Sequence, residues 1–567
     1  MRHLYNLYTY KGKHYLPEGG LLDLYTLDGG YYTFRTQATY NHTFAEKHAI
    51  EGVAGFEFRQ THSRSTSNEQ VGYDDQTQTN STYMTNLYDL YKLQHSDISN
   101  AYSPTGYRIK DFTSTDYLHR FYSYYFTGNY TYDSRYSLSA SYRVDKTDLF
   151  GSDPKFRGRP LWSVGASWNL NNEKWMKDIS WINMLKLRAS YGLTGNINTN
   201  YTSYLTAKIS TENIYGGKKA VLLTPSNDQL RWEKTASWNF GADFSLLDNK
   251  LRGSLDYYLK NSSDVLSTTD VDPTIGWDEL TINNAKIRNQ GVELQLSADI
   301  LRARRREDWG VSADFSIAYN SNKVTAINHE ITSGYEALKS STYHLNKSVH
   351  SLYSLRFGGI GLDDDGNQQC YFIKADGTKI AAATFESSFE AADAVYSGSL
   401  DPKVSASLTP TITWRGFSLS AMMVCYLGHY MRINANDWTI QMGTEYEEPV
   451  YSNMLNYWHS SDPTAYLANG RPAYNMRMYD DDPAFFDFNV VHADYMKMRT
   501  LVLGYTFPSE ICRKIGVGGL RLRVQMNNVF TWARNSKNID PESVDPYSGQ
   551  TLLRTPRSYT MSLSVNF

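Results

Sequence analysis

Three carboxylates precede a glycine in LDDDGNQQ, with Asp363, Asp364 and Asp365 ahead of Gly366. Hard oxygen ligands gathered around a sharp turn are what a calcium loop needs. The carboxylate that closes such a loop at its twelfth position is not evident, so the stretch reads as a polar turn. A second acidic run, Asp480, Asp481 and Asp482 in YDDDPAFFDF, reads first as the solvated face of a long outer loop, with calcium or a cationic ligand as the lesser alternative. The densest basic run, RARRR from Arg302 to Arg306, suits water and lipid headgroups. GVGG (Gly516 to Gly519) and GGIG (Gly358 to Gly361) lack the rest of a phosphate-binding fingerprint and read as turns. No HExxH, no GxSxG and no nucleophile set apart by its context occurs, so the chain does not read as an enzyme. A catalytic triad is spatial rather than sequential, which leaves a barrel hydrolase as a lesser alternative. Trp438, Tyr446 and Trp458 carry apolar faces with polar edges, suited to stacking on sugar rings, gripping a peptide or a lid, or simply packing a loop.

Composition narrows what could position such residues. Aromatics make up 14% of the 567 residues, with 46 Tyr, whereas charged residues are only 20% and Pro numbers 16, a mix that favours long strands. The net charge of −3 gives no reason to expect nucleic acid or another polyanion. Cys370, Cys425 and Cys512 are an odd number at wide spacings and form no metal-ligand pattern; no cofactor is implied. The longest wholly apolar run, Ala421 to Leu427, is far too short to cross a bilayer as a helix. A membrane role therefore requires strands. The opening MRHLYNLYTYKG has no apolar core or small-residue cleavage site, so no export signal is read there.

Period-two alternation runs through the chain. In RSYTMSLSVNF, Tyr559, Met561, Leu563, Val565 and Phe567 alternate with Thr560, Ser562, Ser564 and Asn566. TASWNFGADFSLL, DNK and LRGSLDYYLK read as a hairpin, with Trp238, Phe240 and Leu255 on one face and Asn239, Asp243 and Asp256 on the other. About fifteen such segments occur, or sixteen with HLYNLYTY, most of roughly 10 to 15 residues, against the 9 to 11 that a tilted strand needs to cross a membrane. Links alternate between tight (AEKH, DSR, DNK, RGF) and long (about Gln60 to Asp116, Gly195 to Leu230, Asn322 to Pro402, Gly428 to Val490). Sorting by length onto two rims is the mark of an outer-membrane barrel, with short periplasmic turns and long extracellular loops. One face is apolar for lipid and the other is polar for a watery lumen. Tyr136, Trp162, Trp168, Trp181 and Trp309 near strand ends would form an aromatic girdle at headgroup level. The last strand would close the barrel, with Phe567 on its lipid side at the periplasmic rim.

Several stretches together resemble the SusC/RagA-like branch of TonB-dependent outer-membrane transporters. They are YSLSASYRVDKTDLFG, WSVGASWNLNNEKWMKDISWINMLKLRASYGLTGN, NDQLRWEKTASWNFGADFSLLDNKLRGSLDYYLKNSSDVL, NAKIRNQGVELQLSADI, ADYMKMRTLVLGYTFP, LRLRVQMNNVFTWA and PRSYTMSLSVNF. NYWHSSDPTAYLANGRP adds a loop motif built on Trp458, Asp462 and Pro463. The resemblance implies an all-β transmembrane barrel of about 22 strands, of which this chain supplies the C-terminal 15 or 16. A signal peptide, a TonB-contacting segment and a plug are expected outside residues 1–567. The implied function is TonB-dependent import of an oligosaccharide or oligopeptide, with a SusD-like surface lipoprotein as lid, TonB reached through the missing N-terminal region, and outer-membrane lipid around the wall. A surface adhesion or assembly barrel that transports nothing is the alternative.

Overall fold

The computed structural model describes residues 20–80, 113–148, 158–196, 201–211, 218–277, 279–331, 333–339, 341–362, 368–381, 389–433, 486–535, 539–550 and 552–567. Fifteen strands follow one another in a single antiparallel path. They are β1 (Gly20–Phe44), β2 (His48–Asp74), β3 (Thr113–Tyr132), β4 (Tyr136–Thr147), β5 (Gly158–Asn169), β6 (Ile182–Asn196), β7 (Glu233–Leu246), β8 (Leu251–Asp270), β9 (Glu279–Leu301), β10 (Gly310–Ala326), β11 (Val404–Trp414), β12 (Phe417–Leu427), β13 (Tyr495–Thr506), β14 (Gly519–Ala533) and β15 (Ser558–Asn566). A two-residue strand, Thr79–Asn80, pairs beside the end of β2. Among the described residues, β1 pairs only with β2 and β15 only with β14 along this path, so closure of a barrel is not seen within them. HLYNLYTY lies outside the described residues. No described helix is long and apolar enough to cross a membrane, so any crossing falls to the strands.

The register turns alternation along each strand into two chemically distinct surfaces. One row runs Leu138, Ala166, Ala189, Phe240, Tyr257, Val292, Tyr319 and Val404 from β4 to β11, every member directly opposite the next. On the other face the row Lys186, Asp243, Ser254, Gln295, Ser316 and Ser407 crosses β6 to β11. A one-residue slip anywhere would exchange the two, so the apolar surface pins the register. The apolar side chains are left bare by the protein itself: Tyr559 and Met561 are each 71% exposed, as lipid contact requires.

Links of the two kinds fall on opposite rims. Residues 45–47, 133–135, 170–181, 247–250, 302–309, 415–416 and 507–518 join strands at the inner rim. Four of these are tight turns whose central residues have positive φ: Ala45 and Glu46, Asp133 and Ser134, Asp248 and Asn249, Arg415 and Gly416. Such mirror-image turns match the right-handed twist of paired strands. The outer links are 75–112, 148–157, 197–232, 271–278, 327–403, 428–494 and 534–557. Two of them, 148–157 and 271–278, are shorter than the simple alternation predicts. Strands also run longer than expected, to 25 residues in β1, 27 in β2 and 23 in β9. The extra length is polar and still paired, as in the hydroxyl contacts Thr26 to Thr66 and Ser65 to Thr115, both 2.5 Å. GGIG is a correction: it lies in a strand, Phe357–Leu362, within an outer link, which pairs with Gln368–Ile373 across a register shift at which Gly359 takes φ +92°.

Candidate functional site

Two features of the polar side could meet a solute: the wall facing the lumen and the loops above it. On the wall, Arg188 of β6 reaches across β7 to β8. Its Nε and Nη2 each donate to Asp243 at 2.9 Å, and Nη2 also donates to Asp256 at 3.0 Å. Gly241 makes the reach possible, since a Cβ there would stand 2.8 Å from the Arg188 Cζ. A second group centres on Glu57, which accepts from Arg35 Nε at 2.7 Å and has Arg143 at 3.9 Å; Arg143 is shared with Asp145 and Ser123. Acid and base thus alternate across neighbouring strands. The surface is polar without one dominant sign, which suits a neutral or zwitterionic solute better than a polyanion.

Described residues of three outer links pack together. Leu338, Leu355, Phe372 and Phe389 of link 327–403 bury together with Phe486 of link 428–494. Met431 and Ala493 pack with Val544 of link 534–557. Tyr547 Oη donates to the Leu338 carbonyl at 2.7 Å, tying the third link to the first. Arg432, 1% exposed, donates to the Tyr353 carbonyl and lies 5.7 Å from the Tyr547 ring centre.

At the foot of these links sits a buried ionic cluster. Lys497 on β13, 2% exposed, donates to Asp540 at 3.0 Å and to Glu542 at 2.7 Å. Arg499 Nη1 donates to the same Glu542 oxygen, Oε2, at 2.6 Å, while Oε1 accepts from Arg499 Nη2 and from Tyr495 Oη, the latter at 2.7 Å. Burial alone would raise the Glu542 carboxyl; the donors Arg499, Lys497 and Tyr495 outweigh it and hold the group at about 2. Nearby, burial opposes the ionised form of Asp494, and bonds from Arg534 and from the Gly428 and His429 amides overcome it, leaving that carboxyl below its ordinary range. These clusters fasten the loops to the wall.

Of the residues singled out from sequence, Trp438, Tyr446, Trp458, Asp480, Asp481 and Asp482 lie outside the described residues, as do Asp363, Asp364 and Asp365. Phe567 stands just beyond the last pair, Gly519 with Asn566, at the inner rim with its ring exposed. Tyr136, Trp168, Trp181 and Trp309 all lie at that rim, and Tyr136 stacks on Trp168 at 6.2 Å. Trp162 belongs instead to an outer aromatic group with Tyr191 and Trp238. Sequence reading placed Asp243 and Asp256 on the polar face but assigned no role to Arg188, Lys497, Arg499, Asp540 or Glu542. The only available signal was opposite charge at matching heights on successive strands, and matching heights need the register.

A membrane-spanning antiparallel wall with a polar lumen face, tight turns on one rim and folded loops on the other defines the outer-membrane barrel class. The chain belongs to the TonB dependent receptor-like, beta-barrel family, whose model matches residues 3–529. It is therefore an outer-membrane protein and not an enzyme. It is 25% identical to TonB-dependent receptor P39 of Formosa agariphila over 94% of this chain and 53% of that protein. Against TonB-dependent receptor SusC of Bacteroides thetaiotaomicron it is 22% identical over 78% of this chain and 43% of the relative. The RagAB peptide importer in its closed-closed state has a similar fold, with a TM-score of 0.72 at 21% identity, over 96% of this chain and 56% of that one. The chain spans about half the length of the curated relatives it matches.

Proposed function

We propose that this chain is the C-terminal part of the barrel of a transporter that imports an oligopeptide or oligosaccharide. The plug and the TonB-contacting segment lie outside it, TonB delivers the energy of the proton-motive force, and a SusD-like lipoprotein covers the outer mouth. The observation that carries this reading is the division of labour between the rims. Loops that merely join strands would stay short, whereas here 327–403, 428–494 and 534–557 are organised around shared buried clusters above a polar wall. Such a body offers a rigid seat for a lid and a contact surface for cargo, with Trp438, Tyr446 and Trp458 as aromatic contacts for either. A peptide is the first cargo to test, because the RagAB complex of similar fold is a peptide importer.

Uptake of labelled oligopeptides and oligosaccharides by cells with and without the gene tests the proposal. Uptake lost on deletion and on addition of a protonophore supports it. Uptake unchanged by deletion, with surface adhesion lost, would establish the non-transporting barrel in its place.

A further inference from the structure

The inner rim between β9 and β13 carries a feature that solute import does not use. On the lipid side, Trp309 and Trp414 stack in parallel with ring centres 5.1 Å apart. Phe417 meets Tyr505 at 4.5 Å and Tyr505 meets Phe507 at 4.9 Å, extending the aromatic band to the next link. Below the band, Ile300 and Leu301 are 68% and 50% exposed. Two arginines of the links reach this same side. The Arg415 guanidinium lies 5.0 Å from the Trp414 ring centre, and that of Arg306 lies 6.0 Å from Tyr505.

The arginines divide by role. Arg306 is a brace: its Nη2 donates to the carbonyls of Thr506 at 2.5 Å and Arg415 at 3.4 Å, locking two links to the end of β13. Gly416, at φ +88°, gives it room, since a Cβ there would stand 2.2 Å from that nitrogen. Arg302 is committed to Asp299 at 3.0 Å. Asp308 is occupied as well, accepting the backbone amides of Arg304 and Arg305 at 3.1 and 2.9 Å and so ordering the link. That leaves the exposed side chains of Arg304, Arg305 and Arg415, which form no ion pair among the described residues, against a single exposed counter-charge in the link, Glu307.

We propose that this patch binds the anionic headgroup of a glycerophospholipid in the inner leaflet. Arg304, Arg305 and Arg415 hold the phosphate, and the acyl chains run up the surface made by Ile300, Leu301, Trp309 and Trp414. A lipid fits better than an acidic polypeptide because the charge sits at the edge of the lipid-facing wall and continues into it, with aromatic rings at headgroup depth. Opposite charge alone would suit either partner; the adjoining apolar wall suits only the one with hydrocarbon tails.

The test is native mass spectrometry of the whole protein purified in mild detergent and titrated with phosphatidylglycerol or phosphatidylcholine. Wild-type protein is expected to retain phosphatidylglycerol roughly a hundredfold more tightly. R304Q/R305Q/R415Q should fall to the phosphatidylcholine level, roughly fivefold per charge removed. R304K/R305K/R415K should keep most of the preference, and K208Q/K219Q in an outer loop should keep all of it. Circular dichroism verifies that each variant is folded, and the wild-type comparison of the two lipids stands without any variant. Equal retention of both lipids by the wild type overturns the proposal, as does an unchanged preference in the glutamine variant. Glycerol 3-phosphate displacing the lipid at equal concentration would make this a free-phosphate site, and co-purification of an acidic polypeptide at these arginines in place of lipid would make it a protein contact; either result also overturns it.

Discussion

Glu542 concentrates more donors than any other described carboxylate of the outer loops, and its behaviour should follow from them. Replacing it by Gln leaves Lys497 buried with Asp540 as its remaining anion and Arg499 without its carboxylate. Because Glu542 keeps 24% of its side chain exposed, the expected loss is roughly 3 kcal/mol, the low end for breaking a buried pair. Proteolysis of link 534–557 in the folded protein should become faster accordingly. The pH dependence has a definite sign. A carboxyl depressed from 4.5 to about 2 contributes stability that is complete above pH 4.5 and is lost as pH falls through about 2. Protection of the link should therefore be flat from neutrality to about pH 5 and decline below it, and E542Q should make that decline shallower, leaving the share carried by Asp494 and Asp545. His350 has the opposite sense. Its hydrogen bond to Asp401 outweighs burial and raises it, so its contribution is full below pH 6.5 and fades as pH climbs past the raised value. An H350A variant should lose that alkaline slope.

Strand parity makes the sharpest statement at the level of single elements. Tyr257 and Ser254 lie three residues apart on β8, in the apolar and polar rows respectively. Tyr257→Arg should cost about 2–4 kcal/mol in a bilayer, whereas Ser254→Arg should cost less than about 1 kcal/mol, both read from urea unfolding in lipid vesicles. The opposite ranking would mean that the faces are exchanged. Turns tell a subtler story. Ala45 sits at φ +47°, a region costly for any residue with a Cβ, so Ala45→Gly should raise stability by about 0.5–1 kcal/mol after the entropy of the freer unfolded chain is subtracted. Neither AEKH nor DSR contains the Asn-Gly signature of a hairpin, yet both are tight mirror-image turns. The strands on either side impose them, and the turn residues tolerate what the sheet dictates.

Taken whole, the molecule has an inside-out orientation that labelling can check. With the three native cysteines changed to serine, Gln550→Cys in link 534–557 should react with an impermeant maleimide on intact cells, and Glu46→Cys at the inner rim should react only after the outer membrane is opened. Equal reactivity at the two sites would reverse the assignment of rims. The two ends of the strand path bear on the same scale. Among the described residues β1 and β15 lack a second partner, and unpaired backbone is costly in lipid, so completion of the wall by further strands belongs with the proposed C-terminal placement of this chain.

Much of this architecture was legible beforehand. Alternation such as Tyr559, Met561, Leu563 against Thr560, Ser562, Ser564 determines strand, face and solvent together, because side chains on extended backbone point to opposite sides whatever their neighbours do. The tightest and the longest links likewise assign their rims without any coordinates, but 148–157 and 271–278, shorter than the inner-rim links 170–181 and 507–518, take their rim only from the strand order. Pairing was beyond reach of the same residues: nothing local says that Arg188 stands level with Asp256 and diagonal to Asp243, or that Lys497 meets an acid 45 residues further on. GGIG misled for a related reason, since the positive φ that glycine permits, here +92° at Gly359, can serve an irregularity within a paired strand as well as a turn. Local sequence determines which way each side chain faces. Only the tertiary register decides which charges meet, because that depends on how far each strand is staggered against the next, and the stagger is set by the sheet as a whole.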